Sequence, residues 1–283
     1  MTEILRTEQL CKRYPAFALC DVSFSMEEGT IMGFIGRNGA GKTTTLKSIL
    51  HFVRPDSGRI EVFGLDMDRH EREIREKIGF VTGGIHYYPR RRLGELTRVT
   101  RAFYPDWDEG LYTDCLRRFS LDESKRVSEL SEGMKVKYQL AVAMSHRARL
   151  LIFDEPTSGL DPVSRDDLLD LFLTLCEQDG ASILFSTHIT SDLEKCAGAI
   201  TYIQNGCIAC SCALADFLAR YELAKGAPAA LTPALRARLL GLKEHAAGFS
   251  GLLPAGEDAP GCELAKPDLE TVMVHLEREA DRK

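Results

Sequence analysis

Hydrophobic and polar positions along the chain alternate in short runs, then change period, then alternate again. ILRTEQL, ALCDVSFSM and TIMGFIG, separated by turn signals such as EEG, predict three strands within residues 1–36. Residues 41–52 carry helical spacing, and RIEVFG and KIGFVT read as further strands. From about 86 to 149 the pattern is helical and rich in Arg, with a Pro-Asp break at 105–106. RLLIFDE is a short apolar strand ending in two acids; a helix over about 163–178, the strand ASILFST and a helix from about 190 follow. TYIQNG and CIACSC predict a hairpin with Asn-Gly at its turn. Strands that alternate with helices predict a mainly parallel α/β sheet. After about residue 215 the composition moves toward Ala, Leu, Gly and Pro. There YELAKGAPAALTPALRARLLGL and LPAGEDAPG read as short helices and linkers, and PDLETVMVHLERE as a terminal helix. The expected division is a main domain over 1–215, its helical subdomain at about 86–149, and a small accessory module over 216–283.

Bulk properties narrow the function classes. The 283 residues suffice for one large domain or two smaller ones, and 44% hydrophobic with 28% charged content is ordinary for a soluble globular protein. A net charge of −6 argues against general nucleic-acid binding. The N-terminal MTEILRTEQL lacks an apolar signal-peptide core, and no window holds enough uninterrupted apolar residues to span a membrane. Nine cysteines without such a signal read as reduced thiols in a cytoplasm. Cys207, Cys210 and Cys212 could begin a metal site, but zinc usually wants four ligands, and the stretch reads instead as one strand of a hairpin with small apolar side chains. The basic PRRR at 89–92 reads as a solvated or partner-facing surface.

GRNGAGKT, residues 36–43, fits G-x-x-x-x-G-K-[ST] between a strand and a helix. Gly36, Gly39 and Gly41 let the backbone approach a polyphosphate and turn its N–H groups inward. The opening helix adds its positive dipole end. Lys42 offers a point charge to the β- and γ-phosphates, and the Thr43 hydroxyl can ligate Mg²⁺. LLIFDE delivers Asp154 and Glu155 at the carboxyl end of a buried strand. Asp154 would hold Mg²⁺, directly or through water, and Glu155 would polarise an attacking water. The expected nucleotide contacts run through Gly36, Asn38, Gly39, Ala40, Gly41, Lys42, Thr43 and Thr44.

The order GRNGAGKT, LSEGMK, LLIFDEP, SGLD and STH over residues 3–215 resembles the nucleotide-binding subunit of an ABC (ATP-binding cassette) transporter. That resemblance implies a P-loop NTPase core of RecA-like type with a helical subdomain and a small C-terminal extension. It implies ATP and Mg²⁺ as cofactors and a second ATP-binding subunit paired head to tail. It further implies an integral membrane permease as partner, no nucleic acid, and a cytoplasmic place on the inner face of the membrane. In such pairs Ser131 and Gly133 of one signature loop close on ATP held by the other chain. A Ser and backbone N–H groups at a helix start agree with anion binding. Glu132 and Met134 depart from the commoner LSGGQ, and Glu132 is expected to point outward. Tyr14 matches the adenine-stacking aromatic, with a packed core Tyr as the alternative. Asp161 matches the loop coupling the two sites, and His188 the switch histidine that contacts the γ-phosphate. The expected Q-loop glutamine is missing; Gly83 stands near its place. PDLETVMVHLE is similar to the terminal segment of the drug-, peptide- and acetoin-export branch, which implies export. The rival reading is a soluble ABC ATPase in DNA repair or translation, or an ATP-gated binding module with little turnover.

Overall fold

The computed structural model describes residues 2–82 and 88–282. Gly83, where the Q-loop glutamine is missing, lies outside the described residues. The chain divides into two compact units, Met1–Ser211 and Cys212–Lys283.

In the first unit, β1 (Glu3–Tyr14), β2 (Phe17–Glu27), β4 (Ser57–Val62) and β5 (Leu65–Asp66) form a sheet of order β2-β1-β4-β5. Its documented pairs are antiparallel. Alternation in β1 and β2 puts Leu5, Leu10, Leu19, Val22 and Phe24 on one face, where they are buried, and charged residues on the other. This face packs into one core with Phe34, Ile152 and Leu184 of the central sheet and with Leu46 of the helix that follows the strand of Phe34.

The central sheet has the order β10-β9-β3-β8-β7-β6. It comprises β3 (Ile31–Ile35), β6 (Ile78–Thr82), β7 (Leu150–Asp154), β8 (Ser182–Thr187), β9 (Ala199–Gln204) and β10 (Cys207–Ala213). β3 pairs in parallel with β8 and β9, and β7 with β6 and β8. β3 and β8 are buried at every position, as expected of strands covered on both faces. The predicted hairpin turn is present: Asn205 and Gly206 both have positive φ, 49° and 81°. A two-residue turn of that kind matches the twist of its flanking strands.

The helices are α1 (Lys42–Ile49), α2 (Met67–Glu76), α3 (Leu93–Thr100), α4 (Glu109–Arg118), α5 (Glu132–Ser145), α6 (Pro162–Asp179) and α7 (Thr190–Cys196). α2 was not expected from the sequence. Its only buried side chains are Met67 and Ile74, a stripe too thin to show as a period. Ion pairs one turn apart, Glu71–Arg75, Arg72–Glu76 and Glu73–Lys77, line its surface. Among α3, α4 and α5 the polar core is specific: Thr97 Oγ1 lies 2.6 Å from the Tyr112 hydroxyl and 2.9 Å from that of Tyr138.

The second unit corrects the expectation of short helices and linkers. Its sheet, of order β12-β13-β11-β14, contains β11 (Tyr221–Gly226), β12 (Leu240–His245), β13 (Gly248–Pro254) and β14 (Cys262–Ala265). All documented pairings are antiparallel. α8 (Leu214–Leu218), α9 (Pro233–Arg238) and α10 (Leu269–Ala280) complete it. Ala224, Leu235, Leu242, Phe249 and Leu253 form its core. Segments such as YELAKG and LGLKEH have few β-branched residues, so their extended form comes from cross-strand pairing rather than local preference.

Candidate active site: a phosphate loop facing two carboxylates

The loop from Gly36 to Gly41 joins the buried β3 to α1 at the carboxyl edge of the central sheet. A Cβ at Gly36 would stand 2.3 Å from the Ile203 carbonyl oxygen, a contact no side chain can make. Gly41, the residue before α1, has φ 114°, and a Cβ there would press on Leu19 and Phe17 at 2.6 and 2.8 Å. These two positions demand glycine for backbone reasons alone. Ala40 is buried and its carbonyl accepts from Gly206 N at 3.0 Å, so the β9–β10 turn braces the loop. Asn38 and Gly39 are exposed on its rim.

Lys42 is 6% exposed. Its Nζ donates to the carbonyls of Gly36 at 2.8 Å and Arg37 at 3.4 Å, and lies 3.6 Å from Glu155 Oε1. Thr43 Oγ1 donates to Asp154 Oδ1 at 3.1 Å. The same carboxylate oxygen accepts from Ser186 Oγ at 2.7 Å. Glu155 N donates to that Ser186 Oγ at 3.0 Å and to the Ser186 carbonyl at 3.2 Å. Glu155 Oε2 lies 2.7 Å from His188 Nδ1. Because a carboxylate only accepts, Nδ1 carries the hydrogen of this contact. One string of contacts therefore runs from α1 through the ends of β7 and β8 to His188. Ser186 is its centre and was missed in the sequence. Its signal was a hydroxyl inside an otherwise apolar strand, ILFST.

Glu155 has φ 52°, left-handed backbone that a glutamate seldom adopts. The two Ser186 contacts and the bond from Ser158 N to the Glu155 carbonyl at 3.2 Å hold it there. Behind it, Thr157 Oγ1 donates to the buried Asp192 at 2.7 Å, and Arg165 pairs with the same carboxylate. This ties the loop after β7 to α7.

A cleft of about 490 Å³ opens over these groups. Gly39, Gly41, Lys42, Thr43, Thr44 and Glu155 are among its walls, with Asn38 and His188. Phe17, Arg37 and Ser158 also line it and were not foreseen. Tyr14, Ser131, Gly133 and Asp161 do not line it. Tyr14 ends β1, is 43% exposed, and has Lys12 Nζ 6.0 Å from its ring centre; it is not a core residue.

Ser131 caps α5, its Oγ accepting from Met134 N at 3.2 Å. Asp161 caps α6, accepting from Val163 N, Ser164 N and the Ser164 hydroxyl at 3.0, 3.0 and 2.6 Å. The Ser164 contacts hold its carboxyl below the usual range. A Cβ at Gly133 would meet Ser164 Cβ at 3.6 Å, so the start of α5 lies beside the start of α6. Glu132 does not simply point outward as expected. Oε1 accepts from Lys135 Nζ at 2.6 Å, while Oε2 is buried and makes no hydrogen bond. Lys135, one turn on, supplies the cation that cancels this carboxylate.

A family model described as ABC transporter matches residues 19–158. The chain is 32% identical over 209 residues to the bacitracin transport ATP-binding protein BcrA of Bacillus licheniformis, covering 73% of this chain and 68% of that one. The chain belongs to the ATP-binding proteins of ABC transporters. With the ABC transporter ATP-binding protein YtrB of Bacillus subtilis it is 32% identical over 187 residues. That match covers 66% of this chain and spans just under two thirds, 64%, of YtrB. A solved ATP-binding subunit of an ABC transporter superposes with a TM-score of 0.68 at 30% identity, over 75% of this chain and 91% of that one. A dimeric cassette, MJ0796, described in a post-hydrolysis state with ADP and Pi, shares the fold at a TM-score of 0.65 and 22% identity. It covers 74% of this chain and 98% of its own. This ABC ATP-binding protein is thus a P-loop ATPase, and ATP is its nucleotide. Among the described residues no helix is long and apolar enough to cross a membrane.

Proposed function

We propose that the chain is the ATP-hydrolysing subunit of an exporter, which dimerises on ATP and drives a separate membrane permease. The observation that carries this reading is the contact string Thr43–Asp154–Ser186–Glu155–His188 with Lys42 beside it. It supplies each charge that water attack on a γ-phosphate requires. Lys42 and the loop N–H groups take the phosphate charge. Glu155 accepts the proton of the attacking water and His188 orients its carboxylate and reaches the γ-phosphate. Thr43 and Asp154 present hard oxygens 3.1 Å apart, a donor set that suits Mg²⁺. When bound there, the ion would neutralise charge on the β- and γ-oxygens.

Ser131, Gly133 and Asp161 do not line this chain's own cleft and stand at neighbouring helix starts. That placement supports their reaching ATP across a dimer interface. For Tyr14 we infer adenine stacking at the open end of β1, with Phe17 on the cleft wall beside it. The permease contact is assigned to the helical region, where Val99 and Phe103 are 61% and 71% exposed. Peripheral attachment at the inner face of the membrane follows from that contact. Export as the direction rests on relatives such as bacitracin transport BcrA and the daunorubicin resistance protein DrrA2 of Streptomyces coeruleorubidus, which is 34% identical over 209 residues.

The test is phosphate release by purified protein against Glu155→Gln. Loss of the general base is expected to slow release by about 10²–10⁴-fold while ATP still binds. Equal rates for the two proteins would sink the motor reading. Recovery of Glu155→Gln from detergent-solubilised cells with ATP and Mg²⁺ should bring a permease with it. Recovery of only ribosomes or DNA-bound proteins would overturn the transport assignment.

A further inference from the structure

The pleat of β10 separates the three cysteines that cluster in the sequence. Cys207 is exposed, while Cys210 and Cys212, three and five residues on, lie on the opposite, half-buried face. Cys207 instead lies beside Cys20 of β2, whose thiol is near enough to act on that of Cys207, and both side chains are exposed. The backbone holds this pairing in place. Cys20 N donates to the Gly206 carbonyl at 2.9 Å. A Cβ at Gly206 would stand 1.9 Å from the Ala18 carbonyl oxygen, so the turn and β2 touch without room for a side chain. Gly206 N in turn donates to the Ala40 carbonyl at 3.0 Å, inside the phosphate loop. Leu19, next to Cys20, and Ile203, at the other arm of the hairpin, both abut Gly41.

Two ligand chemistries could use such thiols. Metal binding is disfavoured, since among the described residues no three His, Cys, Asp or Glu side chains gather as a metal set. A pair of neighbouring, exposed thiols is suited to reversible oxidation. We propose that Cys20 and Cys207 form a redox-controlled disulfide that fastens β2 to the β9–β10 turn and thereby alters the phosphate loop it braces. Hydrogen peroxide serves as the oxidant. One thiolate attacks the peroxide, breaking its O–O bond to give a sulfenic acid and hydroxide. The second thiolate attacks the sulfenic sulfur; the S–S bond forms and the second hydroxide leaves. The two thiol protons convert both hydroxides to water, so two thiols and one peroxide give one disulfide and two waters. A dithiol reductant reverses the step by thiol–disulfide exchange.

Burial raises the Cys207 thiol above its ordinary value, with its neighbour Cys20 adding to the effect. Cys207 therefore keeps its proton near neutral pH and acts second, resolving the sulfenic acid formed on Cys20. Cys11 is the competing neighbour: its Sγ accepts from Asp21 N at 3.4 Å, and it also bears on Cys207. Drawing Cys207 onto Cys20 shifts Gly206, which lies between the bond and Ala40, and the expected consequence is weaker ATP binding.

The experiment treats the full chain with hydrogen peroxide, blocks remaining thiols, and maps peptides by mass spectrometry without reduction. Binding of a fluorescent ATP analogue is measured before oxidation, after it, and after a dithiol reductant. A Cys20–Cys207 linked peptide is expected, released by the reductant and absent from Cys20→Ser and Cys207→Ser. Oxidised wild type should bind the analogue about fivefold or more weakly, a typical coupling between two sites. Both variants should hold their affinity through the treatment. Linkage through Cys11, linkage only between chains, or irreversible sulfinic acid at either residue would overturn the site. A linked pair that leaves affinity unchanged would overturn its coupling to the phosphate loop. The peptide map does not depend on hydrolysis, so its outcome is separate from that of the ATPase assignment.

Discussion

Glu155 combines an unfavourable backbone with two backbone contacts to Ser186, whose hydroxyl also anchors Asp154. Left-handed φ at a non-glycine residue costs about 1–3 kcal/mol and persists where the surroundings enforce it. Ser186→Ala removes the hydroxyl that fixes Asp154 and the Glu155 N–H together. The expected outcome is a fall in ATPase rate of about tenfold or more, with ATP binding much less affected, because displacement of a base from its attack geometry acts on the reaction step. Steady-state phosphate release and nucleotide titration separate these effects. Gly36→Ala should be far more damaging to binding, since its methyl would meet the Ile203 carbonyl rather than a movable side chain. At this scale the sequence was informative where chemistry is local. The phosphate loop, Asp154, Glu155 and His188 are read from short motifs; the structure brings loop residues, Glu155 and His188 to one cleft and ties Asp154 to Thr43 beside it. Phe17 acquires its position only from strand pairing and packing, and the hydroxyl of Ser186 in ILFST does not by itself reveal its partners Asp154 and Glu155.

His146 ends α5 and shows what the helical elements demand of a titratable group. It is 4% exposed, stacks on Tyr104 at 3.9 Å, and donates through Nδ1 to the Glu76 carbonyl at 3.2 Å. Burial pushes its pKa down to about 4. The folded pKa lies below the unfolded value, so the neutral ring's contribution is intact above about pH 6.5. It is lost progressively as pH falls from there toward about 4. A loss on the order of 3 kcal/mol across that window is expected from the linkage. Urea unfolding at a series of pH values, compared with His146→Gln, measures it; parallel pH profiles for the two proteins would refute it. In the second unit, Gly241 has φ 58°, and a Cβ there would lie 1.9 Å from the His275 carbonyl of α10. Gly241→Ala should therefore unseat α10, with a loss of more than the 1 kcal/mol or so typical of a strained glycine site. Thermal unfolding followed by hydrogen exchange in α10 reads this directly. Strands β11 to β14 were illegible beforehand because Ala, Leu, Lys and Gly leave the backbone undecided until a partner strand is present.

For the whole molecule, Ser131, Gly133 and Asp161 do not line the cleft that Lys42, Glu155 and His188 line, which fits the proposal that a partner chain supplies them. A single subunit is therefore expected to bind ATP but to hydrolyse it poorly. Glu155→Gln with ATP and Mg²⁺ should sediment as a dimer, and Ser131→Arg in the same background as a monomer. Dimer formation by both proteins would remove the signature loop from the interface. The alternation of strands and helices made the main fold legible across its length, while the antiparallel β2-β1-β4-β5 layer was readable only as strands. Which sheet a strand joins depends on partners far away along the chain.

The position of β3 has a consequence for the protein's birth. The strand that carries the phosphate loop lies between β8 and β9, both far downstream. A ribosome emitting about 5–20 residues per second leaves that apolar strand without its flanks for on the order of ten to thirty seconds. No nucleotide can steady the nascent chain in that interval, because its cradle has no walls. ATP binding is thus expected only of chains whose synthesis has passed the β9–β10 turn.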